Sequence, residues 1–571
     1  MDSMMKCCLA TVEKISWERI FLILEINVKY SENRYPDIPL VFYAVASDHV
    51  KRARFKQEKI DESHYRLTLN ITNQGERMCV AQGDYRLIVC QGKCVLAECE
   101  TDIRLVAQLE NLSKNFLYNN RSKVFSVSFY VAEGESTLPF RMYILPAKKI
   151  EIAPPENRLF QSSSMNIKKV LNKYRRPFLC AAYRFYRKRY GENKKTILFM
   201  SEQSSSLGSN QTAVINRMKK RGLDKEYTIL VSTRPASSQP QSKKSWFQLI
   251  QKLAKSSMVI LDDHAPVLDW LKLDKSTTVV QLWHSGVGFK SSGYSRWGHE
   301  GCPGPWSAHR QYKYGIAGSK TMAHIFSEMW GINEEDVLLT GLPRIDEYLD
   351  QENREKKIKE LYEKYPMCRG KKVILFAPTY RGKNKKNAFY PYELIDFEQL
   401  YQVCGDEYVV LFKMHPWVSE NVPIDSSYED KFVDANKYPN INDLFYITDL
   451  LITDYSSNIF EYSLMRRPML FFAFDKIQYS FSRGFFRPYE DSAPGKICYC
   501  FSEVIKAIEE KDFEFEKVEQ YVEHHFDLID SNSSDRVIDW IIQGQIPEDI
   551  QKGLMAVDEA NKAMHNLVIY H

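Results

Sequence analysis

Short apolar segments alternate with longer amphipathic ones from about residue 195 onward, and this alternation is the strongest constraint on the fold. Short segments with few polar residues are typical of buried strands. They lie at 196–200, 227–231, 258–261, 278–282 and 337–339 and, after a charged helical segment, at 373–377, 408–412, 450–452 and 469–472. Strands that alternate with helices form parallel sheets covered by helices. The sequence therefore predicts an α/β protein with two Rossmann-like halves that face a cleft.

The beginning of the chain has a different pattern. Short strand-like segments at 20–28, 64–71 and 85–89 are separated by turn residues, which is typical of a β-sandwich. We expect a β-rich N-terminal accessory domain before the two halves. The predicted parts of the chain are the accessory domain at 1–150, a linker with basic helices at 151–192, the halves at 193–348 and 349–545, and a tail at 546–571.

The net charge and the cysteines limit the possible partners and metal sites. The net charge of +5 is too small to indicate a nucleic-acid partner. The 12 cysteines are scattered, which favours a reducing compartment. Cys90, Cys94 and Cys99 lie close together but include no CxxC pair and have no neighbouring histidine, so we predict no zinc site. No metal and no cofactor is expected to be required, although a divalent ion could assist.

A basic and aromatic segment at 167–190 contains no acidic residue. One interpretation is an interfacial helix on anionic lipid; the other is a solvated helix that packs its aromatic side on the next domain. Pro177 is expected to divide the segment into two helices. With no secretory signal and no apolar run of about 18–20 residues, the expected location is the cytoplasmic face of the cell membrane, peripherally bound. The residues expected to face the membrane are Lys168, Lys169, Arg184, Arg187, Lys188 and Arg189.

Polar motifs follow three of the predicted strands directly. His284 follows 278–282, Lys413-Met-His415-Pro416 follows 408–412, and Asp454-Tyr-Ser456-Ser457 follows 450–452. Ligands of open α/β sheets bind at these carboxyl ends. With an ordinary pKa of about 6.5, a histidine can act as a base or as a hydrogen-bond donor to phosphate. Two histidines on opposite lips of the cleft could therefore straddle a diphosphate.

The two serines have an ordinary and a functional interpretation. Ser456 and Ser457 are expected at the start of a helix that continues to Arg466, where they could be common N-cap residues or phosphate ligands. Asp262-Asp263 also ends a strand and could cap the next helix. Neither a GxGxxG fingerprint nor a P-loop is present in the sequence, so these two nucleotide motifs are excluded.

At these residues the sequence resembles the CDP-glycerol glycerophosphotransferase family, over roughly 195–540. The matching positions are Glu202, Asn210, Trp283-His284, Gly341-Leu-Pro-Arg344-Ile-Asp346, Ala377-Pro-Thr379-Tyr-Arg381-Gly382, His415-Pro416, Asp454-Tyr-Ser456-Ser457, and Asp475, Tyr479 and Gly484 within 468–495. The sequence departs from the family at two places. The family's Trp-His-Gly-Thr-Pro run is Trp-His-Ser-Gly at residues 283–286, and its late Asp-Gly is Asp530-Ser531.

The resemblance implies a GT-B-like transferase that moves glycerol phosphate or ribitol phosphate from a CDP-polyol to a hydroxyl of a lipid-linked acceptor or growing chain. CMP is released, in teichoic acid or capsular polymer synthesis. The two catalytic residues would be His284 and His415. His284 would be the base, and His415 would bind the diphosphate. The expected donor-binding residues are Ser456, Ser457, Asp454, Arg381, Thr379, Lys413, Pro416 and Arg344; on the acceptor side are Glu202, Asn210, Trp283 and Lys290.

The expected partners are CDP-glycerol or CDP-ribitol, a lipid-linked glycan or polyol-phosphate chain, and an anionic membrane surface; a homo-oligomer is also open. Two other functions remain open. One is a GT-B glycosyltransferase similar to sialyltransferases that uses a CMP-sugar. The other is a non-catalytic scaffold bound to a membrane.

Overall fold

The computed structural model describes residues 8–30, 38–92, 94–119, 121–132, 137–148, 167–190, 195–235, 241–382 and 385–565; for 148, 167–174 and 482–483 it describes the backbone only. Over these residues the chain forms two β-sheets on the N-terminal side, followed by two parallel sheets with helices on their faces. The prediction of an α/β fold is therefore confirmed.

The N-terminal sheets are mostly antiparallel and share one core. Their strands are β1 (Cys8–Glu18), β2 (Phe21–Tyr30), β3 (Leu40–Ala46), β4 (Arg52–Arg54), β5 (Lys56–Lys59), β6 (His64–Asn70), β7 (Gly83–Gln91), β8 (Cys94–Glu98), β9 (Glu100–Thr101), β10 (Lys114–Tyr118), β11 (Lys123–Val131) and β12 (Phe140–Lys148). The sheet orders are β5-β6-β2-β1-β9 and β10-β11-β12-β7-β3-β4, with β8 beside β7. Alternate residues of β2 are buried, because one face of the strand turns to the core. Helices α1 (Ile103–Val106) and α2 (Leu109–Leu112) join the sheets.

The core of this sandwich includes a side chain from the first parallel-sheet region. Trp297 is buried, and its ring centroid lies 5.8 Å from that of Phe116 and 5.0 Å from that of Phe125. Tyr294 belongs to the same core. Aromatic rings bury large apolar areas, so this shared core fixes the sandwich against the segment 292–307.

The first parallel sheet has the order β14-β13-β15-β16-β17-β18. Its strands are β13 (Thr196–Ser201), β14 (Thr228–Thr233), β15 (Met258–Leu261), β16 (Thr278–Gln281), β17 (Tyr312–Ile316) and β18 (Val337–Leu338). The helices are α3 (Ile167–Tyr190), α4 (Ser209–Lys220), α5 (Lys243–Lys255) and α6 (Lys320–Trp330). Side chains of α3, α5 and α6 share a core with one face of the sheet, while α4 packs on the other.

The second parallel sheet has the Rossmann order β21-β20-β19-β22-β23-β24. Its strands are β19 (Lys372–Phe376), β20 (Tyr408–Phe412), β21 (Phe432–Asp434), β22 (Leu450–Thr453), β23 (Met469–Phe472) and β24 (Lys496–Cys498). Its helices are α7 (Arg344–Leu349), α8 (Gln351–Lys364), α9 (Phe397–Cys404), α10 (Ile441–Leu444), α11 (Ile459–Ser463), α12 (Lys476–Arg483), α13 (Phe501–Glu510) and α14 (Glu516–His525). Apolar cores lie on both faces, so the central strands are apolar throughout.

The last part of the chain returns to earlier parts. After α15 (Ser533–Arg536), the segment Val537–Ile542 is π-helical and packs on the first sheet, not the second. This differs from the predicted second half at 349–545, because the apolar side chains of the segment complete the core beside α4. The predicted tail contains α16 (Glu548–His565), where Met564 is buried against the sandwich and Asn561 donates to the Gly75 carbonyl at 2.9 Å.

Two kinds of difference separate the predicted elements from the observed ones. In the two parallel sheets, the strands β17, β21 and β24 are not predicted, because β17 contains Lys313 and Gly315 and the other two have three residues each. The predicted break at Pro177 is wrong, since α3 is continuous through it. A proline removes one helical hydrogen bond, and burial of Leu179 and Tyr183 in the neighbouring core offsets that loss.

Met564 tests how much the C-terminal helix stabilises the sandwich. Met564→Ala removes a fully buried side chain and should lower the free energy of unfolding by about 2–5 kcal/mol. Met555→Ala makes the same change on the same helix where the side chain is exposed, and should change it by about 0.5 kcal/mol or less. Thermal and urea unfolding of the two variants measure the difference; equal midpoints would contradict the packing of α16.

Candidate functional site

Four neighbouring strands of the second sheet end in polar loops at one edge. The loops are 377–382 after β19, 413–416 after β20, 454–457 after β22 and 473–475 after β23. They surround a cavity of about 1660 Å³, called here the donor-side cavity. The predicted site residues that line it are Thr379, Arg381, Lys413, His415, Pro416, Ser456, Ser457 and Lys290.

The wall of this cavity is held by one arginine whose side chain is only 11% exposed. Arg381 donates through Nε and Nη2 to the two carboxylate oxygens of Asp475, at 2.6 and 2.9 Å, and through Nη1 to Asp454 at 2.9 Å. Burial lowers the pKa of Arg381, but the two carboxylates outweigh that effect and raise it overall. The cation therefore ties together the loops that follow β19, β22 and β23.

Asp454 lies behind the wall, outside the cavity lining. Its Oδ1 accepts the backbone N–H of Thr379 at 2.8 Å and that of Tyr455 at 2.6 Å, and its Oδ2 accepts the Thr379 hydroxyl at 3.0 Å. Its side chain is 1% exposed. Because both oxygens are bonded within the protein, these contacts favour positioning of the loops over direct donor binding.

The side chain of Lys413 is also bonded within the protein. Its ammonium donates to the carbonyls of Asn436 and Tyr438, each at 2.7 Å, and burial lowers its pKa. These bonds fix the turn that carries His415, so the contacts of Lys413 favour a positioning role as well.

His415 lies in the cavity lining with a defined proton position. Its Nδ1 accepts the backbone N–H of Trp417 at 3.2 Å, so the neutral ring carries its proton on Nε2. Burial, and secondly the charge of Lys290, lower its pKa. The rings of Tyr380 and Trp417 pack against it at centroid distances of 4.7 and 5.6 Å. His415 is therefore a neutral hydrogen-bond donor.

Ser456 and Ser457 lie in the turn between β22 and α11. Ser456 Oγ accepts the N–H of Asn458 at 3.2 Å, and α11 begins only at Ile459 and ends at Ser463. The predicted helix from the serines to Arg466 is thus shorter than expected, because the whole of α11 is buried and the chain must turn back into β23. Both serines line the cavity.

His284 has the opposite proton position. Its Nδ1 lies 3.3 Å from the carbonyl oxygen of Asp262 and 3.7 Å from the carboxylate of Asp263. A carbonyl can only accept, so Nδ1 carries the proton and Nε2 of the neutral ring is left as an acceptor. His284 does not line the donor-side cavity; its ring centroid is 4.3 Å from that of Trp283.

The loop that carries His284 is nonetheless tied to the second half. Arg344 donates to the His284 carbonyl and forms an ion pair with Glu461 of α11. Gly286 faces the ring of Phe460 so closely that a Cβ would collide with it. Arg344 therefore acts through these contacts as a brace between His284 and the helix that follows the serine turn.

Asn210 and Glu202, predicted on the acceptor side, are buried. Asn210 Nδ2 donates to the carbonyls of Leu282 and Trp283 at 3.1 and 2.8 Å, and its Oδ1 accepts the Arg344 N–H at 3.0 Å. Glu202 accepts the Val267 N–H at 2.8 Å, and burial raises its pKa. Asn210 therefore supports the loop around Trp283, and Glu202 supports the turn after β15.

Trp283 itself has a φ of 53°, a region that bulky residues rarely adopt and that often marks functional loops. It lines a second cavity of about 860 Å³, called here the hairpin-side cavity because the hairpin of β10 and β11 also lines it. Its neighbours there include His264, whose Nε2 is 3.1 Å from Asp269, and His309, whose pKa burial lowers to about 3.

Two cavity residues that sequence reasoning missed come from the sandwich. Arg19, between β1 and β2, donates to both oxygens of Glu328 at 2.8 Å, and its guanidinium carbon lies 4.2 Å from the centroid of the Phe486 ring. Arg121, between β10 and β11, also lines the donor-side cavity. The N-terminal strands gave no motif at either position, so only the tertiary contacts could identify them.

The basic helix α3 fits both earlier interpretations in part. Leu179 and Tyr183 are buried against the first half, whereas Phe178 is 59% and Phe185 64% exposed. Arg184, Lys188 and Arg189 are exposed on the helix. For Lys168 and Lys169 only the helical backbone is described.

The expectation that Arg187 faces a membrane is wrong. Its side chain is buried and donates to the carbonyls of Ala254 and Ser256 at 3.3 and 3.1 Å and to the Ser276 hydroxyl at 2.7 Å. It lies four residues after the buried Tyr183 and so on the same face of the helix. No helix in the described ranges is long and apolar enough to cross a membrane.

Within the described part of the chain, no group of three or more His, Cys, Asp or Glu side chains could hold a metal ion. Cys90 and Cys99 are buried and Cys94 is exposed, all as free thiols.

Comparison with known proteins identifies the family. The family model described as CDP-Glycerol:Poly(glycerophosphate) glycerophosphotransferase matches residues 181–543. The chain belongs to this family. The predicted family membership is therefore confirmed.

Two relatives and one solved structure show how far the similarity extends. The teichoic acid ribitol-phosphate polymerase TarL of Staphylococcus aureus is 30% identical over 561 residues, which cover 92% of this chain and 98% of that protein. The teichoic acid poly(ribitol-phosphate) polymerase of Bacillus spizizenii is 37% identical over 358 residues, 62% of this chain and 57% of that protein. The structure of the wall teichoic acid polymerase TagF matches with a TM-score of 0.51 at 25% identity, over 68% of this chain and 97% of that one.

Asp454 tests the buried cluster. Asp454→Ala leaves the Arg381 cation with one carboxylate, Asp475, and should lower the free energy of unfolding by about 3–5 kcal/mol. Asp512→Ala breaks an ion pair with Lys496 at the surface and should cost about 1 kcal/mol or less. Denaturant unfolding measures both; a loss for Asp454→Ala no larger than that of the control would show that the cluster does not stabilise the site.

Proposed function

We propose that this protein transfers ribitol phosphate or glycerol phosphate from a CDP-polyol to a hydroxyl of a growing polyol-phosphate chain, with CMP as the leaving group, in synthesis of teichoic acid or a related cell-wall polymer. Family membership supports this reaction. TarL, similar over nearly its whole length, is named a ribitol-phosphate polymerase, which favours CDP-ribitol and polymerisation. The observation that supports the mechanism is that the two histidines carry their protons on opposite ring nitrogens.

We further propose that the molecule has the GT-B arrangement, with the cytidine nucleotide in the second half. The Rossmann strand order places a switch point between β19 and β22, and open sheets bind nucleotides at such points. Thr379 and Asp454 meet across it. The division of the chain at 150, 192, 348 and 545 stays a prediction, apart from the return of 537–542 to the first sheet.

On the donor side, neutral His415 would give its Nε2–H to the diphosphate, beside the hydroxyls of Ser456 and Ser457. Lys290, close enough to lower the pKa of His415, adds positive charge to the same wall. Prearranged donors of this kind stabilise the charge on the transferring phosphoryl group. The proposal therefore needs no resident metal.

On the acceptor side, His284 would act as the base. The acceptor hydroxyl oxygen attacks the distal phosphorus of the donor while Nε2 takes the hydroxyl proton. A phosphodiester bond forms, and the bond from phosphorus to the CMP oxygen breaks with its electron pair on CMP. Asp263, 3.7 Å from Nδ1, would stabilise the imidazolium that forms, as the carboxylate of a catalytic triad does.

The remaining predicted residues would position these groups. Arg381, Asp454 and Lys413 hold the donor loops through buried bonds, and Arg344 braces the His284 loop against α11. Thr379 and Pro416 line the cavity. In this proposal the first four residues position the loops, and Thr379 and Pro416 form part of the surface that meets the donor.

The location proposed is the cytoplasmic face of the cell membrane, with α3 on anionic lipid. Its exposed side carries the aromatic residues Phe178 and Phe185 beside basic ones, a composition that suits a membrane interface. Each basic residue near such a surface contributes about 1 kcal/mol.

Alanine at three exposed basic residues of α3 tests this location. The changes are Arg184→Ala, Lys188→Ala and Arg189→Ala, made together. Vesicle binding should weaken by about 3 kcal/mol, measured by co-sedimentation with vesicles that contain phosphatidylglycerol. The matched control removes three exposed lysines of the first half: Lys219→Ala, Lys220→Ala and Lys225→Ala. Equal binding by both variants would exclude α3 as the membrane contact.

CMP release tests the reaction and separates the histidine roles. The protein is offered CDP-ribitol, CDP-glycerol or CMP-sialic acid with a lipid-linked acceptor. We expect CMP from a CDP-polyol; His284→Ala should lower kcat by about 10²–10⁴-fold, the usual contribution of a general base, while donor binding is kept. His415→Ala should weaken donor binding.

The control is His324→Ala, at an exposed histidine that pairs with Glu334 away from both cavities. Loss of donor binding in His284→Ala with normal binding in His415→Ala would reverse the two roles. Release from CMP-sialic acid alone would instead support the glycosyltransferase, and silence with every donor would support the scaffold.

A further inference from the structure

The hairpin-side cavity is formed by two parts of the chain that are distant in sequence. One wall is the β10–β11 hairpin of the sandwich, with Tyr118, Asn119, Arg121 and Lys123; the opposite wall includes Trp283 of the first half. The segment 292–307 closes it. Neither wall alone forms the cavity, so the sandwich is needed for it to exist.

The hairpin is fastened where it meets this cavity. Leu117 forms an antiparallel backbone bridge with Gly298, and the Cys302 thiol donates to the Leu117 carbonyl at 3.6 Å. Trp297 is buried in the sandwich core just before this bridge. These contacts fix the position of the hairpin relative to the first half.

The two cavities are adjacent. Arg121, His299 and Glu300 line both of them. Trp283 lines the hairpin-side cavity, and its ring packs on that of His284, while the loop of His284 is braced against α11 beside the donor-side cavity. A chain in the hairpin-side cavity would thus end next to His284.

The charges of the hairpin favour an anion. Within the described residues, Arg121 and Lys123 have no ion-pair partner, and Arg121 is exposed at the turn. The carboxylates on the same cavity are Asp269, which is occupied by His264 and the Ala308 N–H, and Glu300. Unpaired arginine and lysine side chains are common phosphate ligands.

We infer that the hairpin-side cavity binds the polyol-phosphate acceptor chain, and that the β10–β11 hairpin contacts its phosphodiester groups through Arg121 and Lys123. This inference rests on the proposed transferase function and adds to it a role for the sandwich. Phosphates behind the reacting end would lie on the hairpin, while the terminal hydroxyl reaches His284 past Trp283. The aromatic faces of Tyr118, Trp283 and Trp306 supply apolar surface for the polyol carbons.

The test removes both charges in Arg121→Ala/Lys123→Ala. A labelled poly(ribitol phosphate) chain, free of lipid, should bind the variant about tenfold more weakly or worse, since a hydrogen bond to a charged group contributes roughly 1.5–3 kcal/mol. The ratio of kcat/KM for a long acceptor to that for a single-unit primer should fall by a similar factor. The control is Lys29→Ala/Lys59→Ala, two exposed lysines of the same sandwich that line neither cavity.

The measurement of chain binding tests this inference independently of the proposed reaction. If the wild-type protein releases no CMP from any CDP-polyol, the reaction is wrong, while chain binding still tests the cavity. Unchanged chain binding in the double variant overturns the inference. So does a variant that loses binding to phosphatidylglycerol vesicles but not to the free chain, because the hairpin would then recognise a lipid headgroup. The single variant Lys123→Arg, in which Arg121 is unchanged, keeps both positive charges and should bind the chain as the wild-type protein does.

Discussion

The largely buried ion cluster of Arg381, Asp454 and Asp475 is the constraint on which the donor-side cavity depends. Charged groups removed from water are stable only when nearly all of their hydrogen-bonding capacity is used. The guanidinium meets this condition with the two carboxylates and Thr379. Since the three charged residues follow three adjacent strands, the loops cannot move independently. The cluster thus fixes the positions of the serines, while the bonds of Lys413 fix the turn that carries His415.

A second constraint joins the halves. Arg344 spans from the backbone of His284 to Glu461, and the backbone of Phe289 accepts the Phe486 N–H at 3.0 Å. Arg19 of the sandwich touches Phe486 from the third side. The cleft is therefore crossed by short polar contacts, and the groups proposed for catalysis take their relative positions from contacts between domains that no single sheet provides.

The sequence was sufficient for the parts of the fold that depend on local patterns. Apolar runs such as 408–412 became buried strands, and the polar residues behind them lie at one edge, because parallel strands carry their carboxyl ends to the same side. Short or interrupted strands such as β17 were missed, since their burial comes from neighbours in space. Arg187 shows the same limit: among the basic residues of 175–190, whose side chains the structure describes, only packing decides that this one is buried.

In the candidate site, too, local motifs predict some residues and long-range contacts decide the others. The positions of His415 and Ser456 follow from strand-end motifs, but Asp454 and Lys413, equally visible in those motifs, are turned inward as supports. The position of Arg121 in the cavity linings depends on a contact between residues 117 and 298, which are far apart in the chain and carry no motif. Such long-range contacts leave no periodic signal in a single sequence.

One residue type can serve two opposite roles in this site because the backbone decides where the proton lies. At His415 an N–H group of the following turn occupies Nδ1, so Nε2 donates. At His284 a carbonyl occupies Nδ1, so Nε2 accepts. Burial together with Lys290 lowers the pKa of His415, which favours its neutral form. The proposed transfer, which needs a base for the acceptor and a hydrogen-bond donor for the diphosphate, would obtain both from histidine, without any difference in intrinsic chemistry between the two residues.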